Sequence, residues 1–388
     1  MNMLVTRYRW FTGYEITIGG EDMDATIEQR LYEKAGKMHT PINAVFELLP
    51  LCNMSCDMCY VRLSKDEMKA IGALQSVDKW LKLAEQMQKA GTLFIMLSGG
   101  EPLLYPEFKR LYVELKKMGF VVTVNTNGTL IDEKWAKFFA KYPPRRMNVT
   151  LYGADQSTYK KLCHFEEGYE KAVQGIRLLR ENNIDVKING SYVVDNRDDI
   201  QKIIAFAKEV GAFVNIDTYM YPAVREQNRA YKQEVRVSPY QAACGRIEYL
   251  KAVNDEETYK EILREFVRIT KETTNATVTE SKINCQASKT SFAIDWQGYM
   301  RPCVMLKTPL FPVFEMDFME AWDKLKEELE KMCVNDKCAQ CKYRRVCIVC
   351  PAKVYWETKS MNKTPEYVCA YTKELVRRME EEWENVNG

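Results

Sequence analysis

Six apolar, strand-like runs alternating with amphipathic helical patterns constrain the fold of this chain more than any other feature. The runs fall at 44–51, 93–97, 121–124, 147–151, 186–194 and 213–221, and the helical patterns between them at 77–89, 108–117, 135–139, 172–179 and 200–210. A tight hairpin joins only antiparallel neighbours, so strands separated by crossover helices are expected to lie parallel. The predicted fold class is α/β, a parallel sheet or partial (β/α)6 barrel. Such folds collect their chemistry at the carboxyl ends of the strands, which makes the residues just after each run the first place to look for a site.

The remainder of the 388 residues divides around this core segment, 44–222. Residues 1–43 read as a β-hairpin over 8–18, broken near Gly13 and Gly19, and a helix on Ile27, Leu31 and Ala35. Residues 223–284 form a charged helical bridge, with Tyr259, Ile262, Leu263, Phe266 and Val267 on one face. Eight of the thirteen cysteines lie between Cys285 and Cys369. In that segment, 285–370, periodicity weakens, and metal rather than a large core is expected to hold the chain together. In the tail, 371–388, Tyr371, Leu375, Met379 and Trp383 repeat every four residues, which predicts a helix packed back on the body.

With 56 basic and 54 acidic residues, the net charge of +2 gives no bulk drive toward nucleic acid or an anionic membrane. No run approaches 18 apolar residues and the N-terminus lacks the apolar core of a secretory signal, so a cytosolic location is expected. Thirteen cysteines in a reducing compartment point to metal ligation or catalysis rather than disulfides. Only two histidines, His39 and His164, are available, so thiolates must carry most of any ligation.

Cys52, Cys56 and Cys59 follow the first run directly, at x3 and x2 spacing. Three thiolates so spaced can wrap one face of an iron–sulfur cube and leave the fourth iron open to a substrate. The same three would also suit zinc if a fourth ligand joined them. The second run ends in Ser98, Gly99, Gly100, Glu101 and Pro102. Paired glycines let backbone approach a ligand without a Cβ in the way, and a carboxylate can accept from an ammonium group.

Together these motifs resemble the radical S-adenosylmethionine (SAM) superfamily. The resemblance implies that Cys52, Cys56 and Cys59 hold a redox [4Fe–4S] cluster whose open iron is chelated by the amino and carboxylate groups of S-adenosyl-L-methionine. It implies that Ser98 through Pro102 bind the methionine amino group and that Tyr60 adds to the adenine surface. Asn127, at the end of the third run, and Thr150, at the end of the fourth, stand where relatives contact the ribose or carboxylate. Two departures are noted: Met58 occupies a position that is often aromatic, and Lys160 and Lys161 stand where some relatives use an arginine. Cys163 is isolated in sequence and is expected to be a buried side chain.

Further on, Cys285, Gly298 and Cys303 fit Cys-x12-Gly-x4-Cys, with a hairpin expected around Gly298. Cys338-x2-Cys341-x5-Cys347-x2-Cys350 and Cys369 follow. Paired Cys-x2-Cys motifs alone also suit a zinc ribbon. The whole pattern is similar to the SPASM extension, which binds auxiliary [4Fe–4S] clusters, although the last pair is usually spaced by x3. The resemblance implies one cluster on Cys338, Cys341, Cys347 and Cys369, and another on Cys285, Cys303 and Cys350. The fourth ligand of the latter is Cys333, Cys244 or none. With the first cluster this makes three.

The chemistry so implied is one-electron cleavage of the sulfonium to methionine and a 5′-deoxyadenosyl radical, which abstracts hydrogen from substrate, while auxiliary clusters take up the electron left behind. An electron donor such as flavodoxin or ferredoxin is required. Relatives with this extension mostly modify peptides. Val304 stands where sulfatase-maturing relatives carry an aspartate base, so oxidative maturation of a ribosomally synthesised (RiPP) precursor peptide is the expected function. Its leader would be read by the hairpin at 8–18 or by a separate leader-binding protein. Two alternatives stay open: a radical SAM enzyme acting on a small molecule or nucleic acid, and a noncatalytic iron–sulfur electron carrier, which would not need the 98–102 element.

Overall fold

The computed structural model describes residues 8–9, 15–16, 26–222, 235–274 and 285–387. β1 (Tyr8–Arg9), β2 (Glu15–Ile16) and α1 (Ile27–Met38) come first. The βα series then runs β3 (Asn43–Glu47), α2 (Lys65–Ile71), α3 (Val77–Lys89), β4 (Phe94–Ser98), α4 (Phe108–Lys117), β5 (Val121–Thr126), α5 (Glu133–Lys141) and β6 (Arg146–Thr150). It continues through α6 (Gln156–Cys163), α7 (Gly168–Glu181), β7 (Val186–Ser191), α8 (Ile200–Glu209) and β8 (Phe213–Asp217). Last come α9 (Pro239–Val253), α10 (Glu256–Thr274), β9 (Ser291–Ile294), β10 (Tyr299–Arg301), β11 (Phe311–Pro312), α11 (Phe318–Glu330), α12 (Asp336–Ala339), α13 (Pro351–Thr358) and α14 (Glu366–Asn387). No helix among the described residues is long and apolar enough to cross a membrane. Of the hairpin expected over 8–18, the β1–β2 pairing of Tyr8 with Ile16 is seen, and the rest lies outside the described residues.

Two compact units organise these elements. One comprises residues 35–236 and 287–329, the other 1–34, 237–286 and 330–388. The first unit holds a nine-stranded sheet in the order β11-β10-β9-β3-β4-β5-β6-β7-β8, in which β3 to β8 run parallel as the alternation requires. Local chemistry sets the crossover helices: Ser76, Asp132 and Asp155 each accept from an amide three residues on and so cap α3, α5 and α6. Trp80, Leu83 and Met87 of α3 and Leu111 and Leu115 of α4 are buried, as are the alternate strand positions Val122, Val124, Met147, Val149 and Ile188.

The other face of the same strands is polar. Asn125 lies opposite Asn148, Thr150 opposite Asn189, Asn189 opposite Asn215, and Ser191 opposite Asp217, all partly buried. Asn148 donates to the Asn125 side-chain oxygen at 2.7 Å. Alternation of this kind leaves one sheet face for the core and the other for water or ligand.

A difference from the linear segmentation lies at β9. Residues 287–329, expected with the cysteine-rich segment, belong to the unit with the sheet. β9 adds in parallel to β3, Asn43 opposite Ser291, and then turns through Gly298 (φ +95°) into the antiparallel β10. A four-residue strand carries too little periodicity to reveal its partner, but its pairing satisfies the backbone edge of β3. The junction is fixed by a buried ion pair, Arg301 to Glu47 at 2.6 Å, the two residues 4% and 2% exposed.

In the second unit α9, α10 and α14 pack together. Tyr259, Ile262, Leu263, Phe266 and Val267 of α10 and Tyr371, Leu375 and Met379 of α14 are buried, as their spacing predicts. Tyr259 donates to Glu382, which also pairs with Lys251 at 2.6 Å.

Removing one partner of a buried ion pair strands the other charge in a low-dielectric interior, at a cost of about 3–5 kcal/mol. Glu47→Leu and Arg301→Met should each lower the unfolding free energy measured in urea by that order, and the double variant should recover most of the loss.

Candidate active site

The cysteine loop is held to the sheet by backbone. Gly100 donates to the Leu49 carbonyl at 2.7 Å and Glu101 to the Leu51 carbonyl at 2.8 Å, so the loop after β3 is zipped against the turn after β4. Only glycine permits this. A Cβ on Gly100 would lie 2.2 Å from the Leu51 oxygen, and one on Gly99 (φ +150°) 2.6 Å from that of Leu49. Ser98 is buried at the strand end, where its carbonyl accepts from Leu48, and Pro102 opens a short 3-10 turn.

Glu101 differs from the expectation of a carboxylate presented to an ammonium group. It is fully buried, and its oxygens accept from the Thr126 hydroxyl (2.8 Å), the Asn127 amide (2.8 Å) and the Leu103 amide (3.2 Å). It is a brace between the ends of β4 and β5. The brace presents Asn127, whose side-chain amide donates to Asn53 at 2.9 Å and reaches the Cys52 sulfur at 3.6 Å. Thr129 closes the ring, donating to Asn127 and accepting from Asn53. Asn53 and Thr129 carried no signal in the sequence beyond proximity to a motif.

From the other side, α6 grips the loop. The Ser55 amide donates to the Cys163 carbonyl at 3.0 Å and the Asp57 amide to the Leu162 carbonyl at 2.9 Å. His164, left-handed at φ 50°, places Nε2 2.9 Å from the Asp57 carboxylate. Cys163 is buried, and its backbone carbonyl meets the cysteine loop, a proximity that its sequence position did not reveal. Tyr60 is partly buried, and Thr150 sits partly buried at the end of β6, in register with Asn189. Met58, where an aromatic residue is common, is buried.

None of the three loop cysteines is in a disulfide, and two accept backbone donors: Met54 to Cys52 at 3.4 Å and Arg62 to Cys59 at 3.3 Å. Burial, reinforced by the Glu101 carboxylate, pushes the Cys52 thiol far up, so a bound metal must displace its proton. Among the described residues no three His, Cys, Asp or Glu side chains converge as a single metal ion demands. An iron–sulfur cube takes one sulfur on each iron, so its ligands need not meet at one point. The donor set of three thiols and amide donors fits an iron–sulfur cluster.

In the second unit, Cys338, Cys341 and Cys347 lie close enough to Cys369 that, after burial itself, their charges help raise its thiol to about 11. Asn335 caps α12 by accepting from the Cys338 amide, and Thr372 donates to the Cys347 sulfur at 3.4 Å. Cys350 precedes α13, and Cys285 belongs to the same unit, whereas Cys303 belongs to the sheet unit, where its sulfur accepts from the Leu306 amide. Of the two further candidates, Cys333 is exposed and Cys244 lies partly buried on α9.

Gly100→Ala should drive the rim apart at the Leu51 carbonyl; the expected outcome is loss of the loop's iron after anaerobic reconstitution, measured by metal analysis, in a chain that still folds by circular dichroism. Burial lifts the Glu101 carboxyl from 4.5 to about 7, against the pull of its Asn127, Thr126 and Leu103 donors. The folded state therefore keeps a proton that the unfolded chain has lost, and stability falls as pH rises from 4.5 through 7 and is flat above. Glu101→Gln cannot titrate. Its stability relative to wild type should rise between about pH 5 and about pH 8 in urea unfolding of the cluster-free protein.

Comparison with known proteins bears on this arrangement. Residues 46–207 match the family model of the radical SAM superfamily. The AdoMet-dependent heme synthase of Methanosarcina barkeri (strain Fusaro) is 23% identical over 349 residues, covering 86% of this chain and 97% of that protein. The sporulation killing factor maturation protein SkfB of Bacillus subtilis (strain 168) is 24% identical over 176 residues, covering 45% of this chain and 42% of that protein. SuiB of Streptococcus suis, solved bound to precursor peptide SuiA, shares the fold with a TM-score of 0.63 at 17% identity, covering 91% of this chain and 84% of that one. Residues 46–207 are thus a radical SAM domain, of a superfamily that uses a [4Fe–4S] cluster and S-adenosylmethionine.

Proposed function

We propose that this enzyme oxidatively modifies a peptide, with a ribosomally made precursor as substrate, and that its cysteine-rich segment is a SPASM domain holding auxiliary iron–sulfur clusters. The observation that carries the substrate reading is the amide-rich sheet face of Asn125, Asn148, Asn189 and Asn215, which leads to the strand ends beside the cysteine loop. Primary amides offer paired donors and acceptors, the complement of a peptide backbone. SuiB, of the same fold, binds a precursor peptide, and SkfB is a maturation protein for a killing factor.

In this reading Cys52, Cys56 and Cys59 hold the first cluster, with S-adenosylmethionine on its open iron. Together they supply a 5′-deoxyadenosyl radical by one-electron cleavage of the sulfonium. The backbone of Ser98 to Pro102 meets the methionine amino group, and Tyr60, Asn127 and Thr150 line the rest of the cofactor. Glu101 acts through Asn127, holding it by its amide. Cys338, Cys341, Cys347 and Cys369 ligate one auxiliary cluster. Cys285, Cys303 and Cys350 are assigned to another, with Cys333, Cys244 or no residue as its fourth ligand. Forming a crosslink removes a pair of hydrogens from the peptide, one as an atom and one as a proton, and an auxiliary cluster held by these cysteines would supply the acceptor for the remaining electron, while a flavodoxin- or ferredoxin-type protein would be the electron donor to the first cluster.

A second reading has one observation in its favour: the heme synthase of M. barkeri matches 86% of this chain, against 45% for SkfB. A tetrapyrrole substrate would follow. The two readings separate in one experiment, in which the anaerobically reconstituted enzyme is incubated with S-adenosylmethionine and either a short peptide encoded beside its gene or an iron porphyrin. The expected result is 5′-deoxyadenosine formation stimulated by the peptide, a peptide product lighter by a pair of hydrogens, and loss of that product, but not of cofactor cleavage, in Cys347→Ala. Turnover of the porphyrin alone would overturn the peptide assignment.

A further inference from the structure

We infer that Thr372 is a positioning residue for an auxiliary cluster: its hydroxyl ties the Cys347 sulfur to α14 beside Cys369 and makes the cluster held there easier to reduce. The inference rests on the ligand roles proposed above for Cys347 and Cys369. Its geometric basis is one hydrogen bond, in which the Thr372 hydroxyl donates to the Cys347 sulfur at 3.4 Å, the two residues being 3% and 8% exposed. Cys369 precedes Thr372 by less than one turn of α14 and shares its face of the helix, where β-carbons so spaced lie about 5–6 Å apart. The bond therefore brings Cys347 alongside Cys369. Cys347 arrives there at the end of a series of tight turns that also carries Cys338 and Cys341. In that series the Cys341 amide donates to the Cys338 carbonyl at 3.3 Å, the Arg344 amide to the Cys341 carbonyl at 2.8 Å, and the Val346 amide to the Tyr343 carbonyl at 3.1 Å. None of these four cysteines is in a disulfide. Thiols gathered from one turn series and one helix face fit a cube, which takes one sulfur on each iron.

Packing alone does not call for a threonine here. The buried positions around it on α14 are apolar, Val368, Leu375, Val376 and Met379, and a threonine inside a helix can satisfy its hydroxyl on a carbonyl of its own preceding turn. Thr372 donates to sulfur instead. As an iron ligand Cys347 has no proton to give back, so the hydroxyl donates and the sulfur accepts. Reduction adds negative charge that the ligand sulfurs share, and a donor aimed at one of them stabilises the reduced state more than the oxidised one. Hydrogen bonds to sulfur are among the determinants of cluster potential. Burial keeps water from competing for the same lone pair, so the effect is not averaged away.

The test is a redox titration of the full-length, anaerobically reconstituted protein, followed by electron paramagnetic resonance. The signal to follow is the reduced one that S-adenosylmethionine leaves unchanged and that Cys347→Ala abolishes. If Cys347→Ala keeps every signal and its full iron content, Cys347 is not a ligand, and the underlying reading fails together with the proposal. With that signal in hand, Thr372→Val, which keeps the shape and removes the donor, is expected to titrate at a more negative potential than wild type with unchanged iron and sulfide content. Thr372→Ser restores the donor and should return the potential toward wild type. Loss of the signal in Thr372→Val that Thr372→Ser restores would support the positioning role equally. An unchanged potential in Thr372→Val overturns the proposal and leaves the ligand reading standing. An equal shift, or loss of the signal, in both variants also overturns it, because the methyl group and its packing would then be the cause.

Discussion

Everything at the candidate site depends on two backbone hydrogen bonds, from Gly100 to Leu49 and from Glu101 to Leu51, that draw the cysteine loop onto the neighbouring strand end. Their geometry leaves no room for a β-carbon at Gly100. A glycine pair costs conformational entropy on ordering, and the fold tolerates it because parallel pairing of β3 with β4 already fixes both chains up to that point. The site is therefore a continuation of the sheet rather than a loop laid over it, and precision at the thiols comes from the sheet's own rigidity.

A second tier of interactions works through polar groups removed from water. Glu101 takes three donors in a fully buried setting and so orients Asn127, and Asn127 in turn meets Asn53 and Cys52. Within such a network each member is worth more than an exposed bond, because losing one partner leaves another buried and unpaired. Helix α6 supplies the opposing support. The loop is thereby held from two strands and one helix end, with its sulfurs left to the bound group.

Much of this was legible in the sequence because the relevant signals are local. The six strands, the faces of α10 and α14, the cysteine triad and the Ser98–Pro102 element each announce themselves within a dozen residues. What stayed hidden is long-range: β9 adding to β3, the Arg301–Glu47 pair, and the end of α6 at Cys163 arriving beside the cysteine loop. Glu101 was legible as a motif residue, but sequence shows only that a carboxylate is present and not that it is buried with three donors on it. The amide-rich face of β5 to β8 follows from alternation that each strand shows alone, yet its continuity needs the register between strands.

The pairing of β9 with β3 also dictates an order of events as the chain is made. Asn43 finds Phe94 early, but the other edge of β3 is covered only when Ser291 emerges, after α9 and α10 have left the ribosome. Throughout that interval the strand leading into the cysteine loop presents open amides and carbonyls to any passing chain. A nascent protein of this topology needs its strand edge guarded until β9 is synthesised, and a chain cut short before residue 291 leaves that edge bare for good.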